Sequence, residues 1–205
     1  MGHKFAEIAF TDTVKSVQQA LGSRSGYARR EGGDVDLNDR LGPSEAQFIA
    51  ERDSFYMATV SETGWPYVQH RGGPKGFLRV LDEKTLGFAD FSGNRQYVSV
   101  GNLNTDDRVS LFLMDYPNRT RLKVLGRARV VEFDGDDDLV RCVSLTDYRA
   151  RVEHGVIIRV EAFDWNCPQH ITPRYTTDEI EVAVQPLRKR IAELEEKLHG
   201  VTSRD

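Results

Sequence analysis

Apolar residues fall in short, turn-bounded runs through the middle of the chain, and at helical spacing near its two ends. Phe55-Tyr56-Met57-Ala58-Thr59-Val60 is a run of strand formers, closed by the turn Glu62-Thr63-Gly64 and by Pro66. Strands are expected next over Tyr67 to Arg71, Phe77 to Leu81 and Leu86 to Phe91, broken by Gly72-Gly73-Pro74 and the hairpin turn Asp82-Glu83-Lys84-Thr85. Arg108 to Tyr116 has a strongly apolar centre. Arg121 to Val131 alternates basic and apolar residues, the period of two of a strand with one wet face. Gly155 to Ala162 completes the set. These closely spaced strands predict an antiparallel barrel or sandwich, and the lack of recurring strand–helix alternation argues against a doubly wound sheet.

Helical spacing predicts the flanking elements. Val14, Val17 and Leu21 share one face of a helix over Thr11 to Leu21, with Thr11 or Asp12 as cap and Gly22 as stop. The Gly-, Arg- and Asp-rich stretch 22–42 reads as an irregular arm, either a connector or a wrap around a partner anchored by Tyr27. Pro43 opens a helix running to Arg52, with Ser44 and Gln47 at capping-box spacing. Helices are also expected over Asn94 to Leu103 and from Asp136 to about Leu145. Near the C-terminus Val184, Leu187, Ile191, Leu194 and Leu198 form one stripe, with Pro186 in the first turn and Gly200 as stop. That stripe is too short for a coiled coil and needs a surface to pack on. The organisation is therefore an N-terminal helix and arm over 1–42, a barrel domain over 43–175 and a C-terminal helix over 176–205.

Composition narrows the class. With 39% hydrophobic and 29% charged residues the chain is expected to be a soluble globular protein. A net charge of −4 gives no bias toward nucleic acid. The two cysteines, Cys142 and Cys167, do not make a disulfide framework, no apolar run reaches the ~20 residues that span a bilayer, and the first residues make a poor secretion signal. A cytoplasmic location is expected.

The chemistry concentrates between Trp65 and Asn104. The turn Ser92-Gly93-Asn94-Arg95-Gln96 follows a strand and enters a helix, so backbone N–H groups, amides and a guanidinium converge on a place suited to phosphate. The strand before it carries Gln69, His70 and Arg71, polar groups able to hydrogen-bond the edge of a flat heteroaromatic ring. Together they suggest a phosphorylated aromatic cofactor. Taken singly, Arg95 reads as a solvated arginine and His70 as an ordinary half-buried histidine. Gly72 to Gly76 lacks the ending of a Walker loop. Cys167 and His170 have ligand-like spacing, but two ligands make no metal site, and none is assigned.

The succession FYMATVSETGWPYVQHRGGPKGFLRVLD, GFADFSGNRQYVSVGNL, DDRVSLFLMDY, RLKVLGRARVV and WNCPQHI, from Phe48 to Ile171, resembles the pyridoxamine 5′-phosphate oxidase-like superfamily of FMN-binding split β-barrels. The resemblance implies a mainly β fold with flanking helices, and a homodimer with FMN in clefts between subunits. It matches Gly93-Asn94-Arg95-Gln96 to the phosphate turn, with Gln96 where relatives often carry a cation, so that phosphate binding leans on Arg95 and the helix N-terminus, with help from Lys75 or Ser99. It implies that Gln69, His70 and Arg71 line the flavin, that Arg121 lies near a flavin-contacting position, and that Trp165 to His170, including Cys167, approach the ring from the other subunit.

The vitamin B6 enzyme ends in a substrate-clamping segment rich in Trp, Arg, Leu and Pro, and this chain ends in a charged amphipathic helix instead. The resemblance thus points away from pyridoxamine phosphate and toward an FMN-dependent oxidoreductase acting on another small-molecule substrate or electron donor. No catalytic acid or base is assigned. The alternatives are a flavin-binding storage or sensor protein without turnover, and an F420-dependent reductase.

Overall fold

The computed structural model describes residues 2–29, 31, 36–132, 143, 148–165 and 168–202. It divides into two compact units: the chain up to Asp115 with Thr120–Pro168, and Tyr116–Arg119 with the chain from Gln169.

In the first unit seven antiparallel strands are built from the apolar runs. They are β3 (Ser54–Val60), β4 (Pro66–Gly72), β5 (Arg79–Asp82), β6 (Thr85–Phe91), β7 (Arg108–Asp115), β8 (Thr120–Glu132) and β9 (Val152–Trp165), which follow the short β1 (Gly2–His3) and β2 (Asp36–Leu37). The order across the sheet is β4-β3-β7-β8-β9-β6-β5. This is the split barrel expected from the sequence. Alternate residues of β7 (Val109, Leu111 and Leu113) point into one core, as a strand with one buried face requires. Phe55, Phe77 and Phe88 fill its centre. Phe55 stacks on Phe77 at 5.5 Å and meets Phe88 edge-on at 5.3 Å. Arg52 closes one end: it donates to the Phe48 and Met114 carbonyls and pairs with the buried Asp115 at 3.1 Å.

The β8–β9 ladder is the spine, because β8 also pairs with β7 and β9 with β6. Its register shifts between Leu125 and Gly126. A Cβ at Gly126 would stand 2.6 Å from the Arg159 carbonyl oxygen, so only glycine lets the strands approach this closely. β9 runs on to Trp165, beyond the Ala162 expected. Trp165 therefore ends a strand: its indole N–H donates to Glu45 Oε1 at 2.7 Å, and its ring meets Phe48 edge-on at 4.8 Å.

The N-terminal region is more ordered than its composition predicts. α1 (Lys4–Ala9) was not expected, yet it buries Ala6, sets Phe5 under the Lys123 ammonium and packs beside β9. α2 (Asp12–Ala20) follows, with Thr11 Oγ1 accepting from the Val14 N–H as its cap. The stretch read as an irregular arm contains α3 (Arg24–Ala28) and β2, and β2 pairs in parallel with β1. Beyond β2, Leu41 is buried in the barrel core. α4 (Pro43–Ala50) is capped differently from expectation. Glu45 Oε2 accepts from the Gly42 N–H at 2.9 Å, so Ser44 and Gln47 are not the capping pair.

In the second unit α6 (Thr177–Thr202) is the C-terminal helix, and the apolar stripe from Val184 marks only its later part. Thr176 and Glu179 form a reciprocal capping box, which leaves Pro186 inside the helix and not in its first turn. Leu187, Ile191, Leu194 and Leu198 remain exposed along it. Among the described residues no helix is long and apolar enough to cross a membrane. Of the helix expected from Asp136 to about Leu145 only Val143 is described, and Cys142 and Cys167 lie outside the described residues.

Gly126→Ala should destabilise the barrel by about 1–3 kcal/mol through overpacking, read as a lower urea midpoint. Gly101→Ala, where an added Cβ meets nothing within 4 Å, should leave the midpoint unchanged or raise it. Equal midpoints for wild type and Gly126→Ala would show that the ladder does not need this close approach.

Candidate functional site

β4 is an edge strand, and its alternation decides what it offers to each side. Tyr67, Gln69 and Arg71 turn one way and become half-buried, while Val68 and His70 turn the other way and stay exposed. The first three line a cleft of about 230 Å³ with Asp90 and Phe91 from the end of β6, the turn 93–97, the start of α5 (Val98–Leu103) and Glu153 of β9. β4 and β6 lie near opposite ends of the sheet order, so the cleft sits where the curled sheet brings its two ends together.

α5 is held in place by buried polar contacts. Asn102 Nδ2 donates to Thr59 Oγ1 at 2.9 Å, and Ser99 Oγ donates to Gln69 Oε1 at 2.8 Å. The Ser99 contact occupies the carbonyl of the Gln69 amide and leaves its Nε2 to donate elsewhere. The preceding turn is not helical, although a helix was expected from Asn94. Arg95 (φ 58°) and Tyr97 (φ 53°) are left-handed, and Asn94 Oδ1 accepts from the Gln96 N–H at 3.2 Å. α5 is thus only six residues long, and the turn 93–96 is not part of a helix N-terminus. A phosphate here would rely on the turn's own groups and Arg95, with little from a helix dipole.

The charges in the cleft are balanced. Arg71 pairs with Asp90, and both side chains are nearly buried (10% and 12% exposed). Burial pushes the Asp90 carboxyl above its ordinary range, and the neighbouring Arg71 and His154 only partly offset this. Among the described residues the buried Arg71 Nε also has no hydrogen-bond partner. Arg95 Nε donates to the Tyr97 hydroxyl at 2.8 Å and stands 3.7 Å from Glu153 Oε1, which also accepts from Ser92 Oγ at 3.0 Å.

Of the residues proposed from the sequence, Gln69, Arg71, Asn94, Arg95, Gln96 and Ser99 meet in this cleft. The trio Gln69-His70-Arg71 divides, because neighbouring strand residues cannot face the same side. His70 lies across the sheet and meets Tyr56 edge-on at 5.5 Å. Lys75 is exposed in the turn after β4 and is not a lining residue. Arg121 is on β8 opposite Met114, over the Phe112 ring at 5.7 Å, and among the described residues its buried Nε makes no hydrogen bond. Trp165 is engaged with Glu45 and Phe48 in its own chain, away from the cleft. Sequence reasoning missed Tyr67, Asp90, Tyr97 and Glu153. Period-two counting from Gln69 finds Tyr67, but only the folded sheet brings Glu153 to the turn.

The fold and its seam define a split-barrel protein whose polar cleft is built from an edge strand and a turn. A family model for pyridoxamine 5′-phosphate oxidase matches residues 41–157, and the chain belongs to that family. No curated protein matches it. Among solved structures, HupZ of Group A Streptococcus is similar at 15% identity, covering 66% of this chain and 100% of that one, with a TM-score of 0.49. A candidate pyridoxamine 5′-phosphate oxidase from Lactobacillus delbrueckii is similar at 24% identity over 62% and 94% of the two chains, with a TM-score of 0.47. An FMN-binding protein from Syntrophomonas wolfei is similar at 9% identity over 76% and 96%, with a TM-score of 0.44.

The raised Asp90 carboxyl has a defined consequence for stability. Its folded value exceeds its ordinary 3.8, so the folded state binds this proton more tightly than the unfolded state does. That contribution is complete below 3.8 and is lost as pH rises through the raised value. Urea unfolding against pH should show wild type losing stability relative to Asp90→Asn across this window. A gain for wild type over the same window would mean that the Arg71 pairing outweighs burial.

Proposed function

We propose that the cleft is part of an FMN site and that the protein is a flavoprotein oxidoreductase using a small-molecule substrate or electron donor. The observation that carries this reading is the convergence of Gln69, Arg71, Arg95 and Ser99 on one cleft, in a chain of the pyridoxamine 5′-phosphate oxidase family. The residues present fit such a group in kind. Arg95, mostly exposed and in a left-handed turn, presents its guanidinium at the mouth of the cleft, where a phosphate would meet it. Gln69, fixed by Ser99, offers its Nε2 to an acceptor on a ring edge. Arg71, held by Asp90, keeps a cationic wall beside the position where a reduced ring gathers negative charge.

The size of the cleft supports a second element of the proposal. Pockets that enclose a cofactor-sized ligand measure about 300–1,000 Å³, and this one falls short at about 230 Å³. A second copy of the chain would complete it, giving a homodimer with the ligand between subunits. FMN, when bound, supplies the hydride and electron chemistry. The chain's own residues bind and orient it and bias its charge.

Arg95→Ala should weaken FMN roughly tenfold to a hundredfold, the value of a charge-assisted hydrogen bond, and leave riboflavin nearly unchanged, since riboflavin has no phosphate. Fluorescence titration of both flavins reads this directly, and equal weakening would remove Arg95 from the phosphate seat. Sedimentation of the flavin-loaded protein should give a dimer; a fully loaded monomer would contradict the shared cleft.

A further inference from the structure

Glu153 has no role in the reading above, yet it is the residue best placed to act on Arg95. Its carboxylate is fixed. It sits on β9, accepts from Ser92 Oγ at 3.0 Å and is 16% exposed, while the Ser92 N–H is tied to the Arg151 carbonyl at 2.8 Å. Arg95 is the movable member of the pair, 69% exposed. Its Nε reaches the carboxylate only at 3.7 Å and donates to the Tyr97 hydroxyl, which donates in turn to Glu153 Oε1 at 3.5 Å. A carboxylate thus occupies, from inside the chain, the electrostatic role that a ligand phosphate would take toward Arg95. The other cation of the cleft, Arg71, is committed to Asp90.

We propose that Glu153 is an internal competitor for the ligand's phosphate: it holds Arg95 by charge and through Tyr97, and phosphate binding requires Arg95 to exchange that carboxylate for the phosphate. This rests on the reading of the cleft as a phosphate seat. Two arginines against two fixed carboxylates leave little net positive potential for an incoming dianion, so phosphorylated ligands are held less tightly than Arg95 alone would hold them. Glu153 therefore sets how far the site prefers FMN over riboflavin, and it makes the flavin an exchangeable ligand. No bond is made or broken, and the exchange is of ion-pair partners only.

The test is a double-mutant cycle on the full chain, with dissociation constants for FMN and for riboflavin measured in wild type, Glu153→Gln, Arg95→Ala and the double variant. Gln keeps the size of Glu153 and an acceptor for Ser92 while removing the charge. Glu153→Gln should tighten FMN by roughly threefold to tenfold, as expected for removing one charge about 5 Å away in a wet site, and leave riboflavin within about twofold. In the Arg95→Ala background the gain should disappear. Weaker FMN binding in Glu153→Gln, or equal shifts for both flavins, overturns the proposal.

A measurement without flavin separates this proposal from the reading beneath it. Inorganic phosphate is titrated while the Arg95 Nε–H resonance is followed by NMR. In Glu153→Gln the resonance should respond at severalfold lower phosphate than in wild type, and equal midpoints overturn the competitor role. If the phosphate midpoints separate but neither protein takes up FMN, the flavin reading fails and the competition between Glu153 and phosphate stands.

Discussion

The Arg71–Asp90 ion pair is the contact on which the site depends. Arg71 is on the edge strand β4, and Asp90 is near the other end of the sheet on β6. Their meeting joins β4 to β6 across the sheet order, and both residues line the cleft. The pair is nearly buried, so each charge requires the other, because an uncompensated buried charge costs several kcal/mol. The β8–β9 ladder links the half of the sheet that carries β4 to the half that carries β6, and at its register shift Gly126 leaves room for the Arg159 carbonyl.

Once the seam is closed, the polar groups around it have little freedom. Ser99 and Asn102 anchor the six-residue helix α5 to β4 and β3, which fixes where the turn 93–97 lies. Two left-handed residues in that turn, Arg95 and Tyr97, hold their side chains toward Glu153. Non-glycine residues in this conformation carry a backbone cost and persist where surrounding contacts fix them. The result is a cleft whose cations are each matched to an internal carboxylate, and which offers an amide, hydroxyls and a movable guanidinium to a ligand.

Most of the strands were legible in the sequence because burial on one face imposes a period of two, as in Val109, Leu111 and Leu113. The polar turn lining the cleft was legible for a different reason: Gly93, Asn94 and Arg95 are adjacent, so their convergence needs no fold. The misreadings share a cause. Gln69, His70 and Arg71 were taken as one group, although strand geometry sends His70 to the opposite face. The order of the N-terminal segment comes from tertiary pairing of β1 with β2 and from the burial of Leu41, neither of which local composition encodes. Asp90 and Glu153 were invisible as site residues because their partners are distant in sequence. Trp165 was expected to approach the ligand of the other subunit; within its own chain β9 continues far enough to set its indole against Glu45 and Phe48.

The central claim is that this cleft belongs to a phosphorylated flavin site. The most direct measurement is the absorption spectrum of the protein after equilibrium dialysis against FMN, with mass identification of whatever denaturation then releases. The account predicts flavin bands shifted from those of free FMN, near one equivalent per chain, and an FMN mass in the released material. A protein that emerges colourless, or that arrives carrying an F420 mass and excludes FMN, would contradict it.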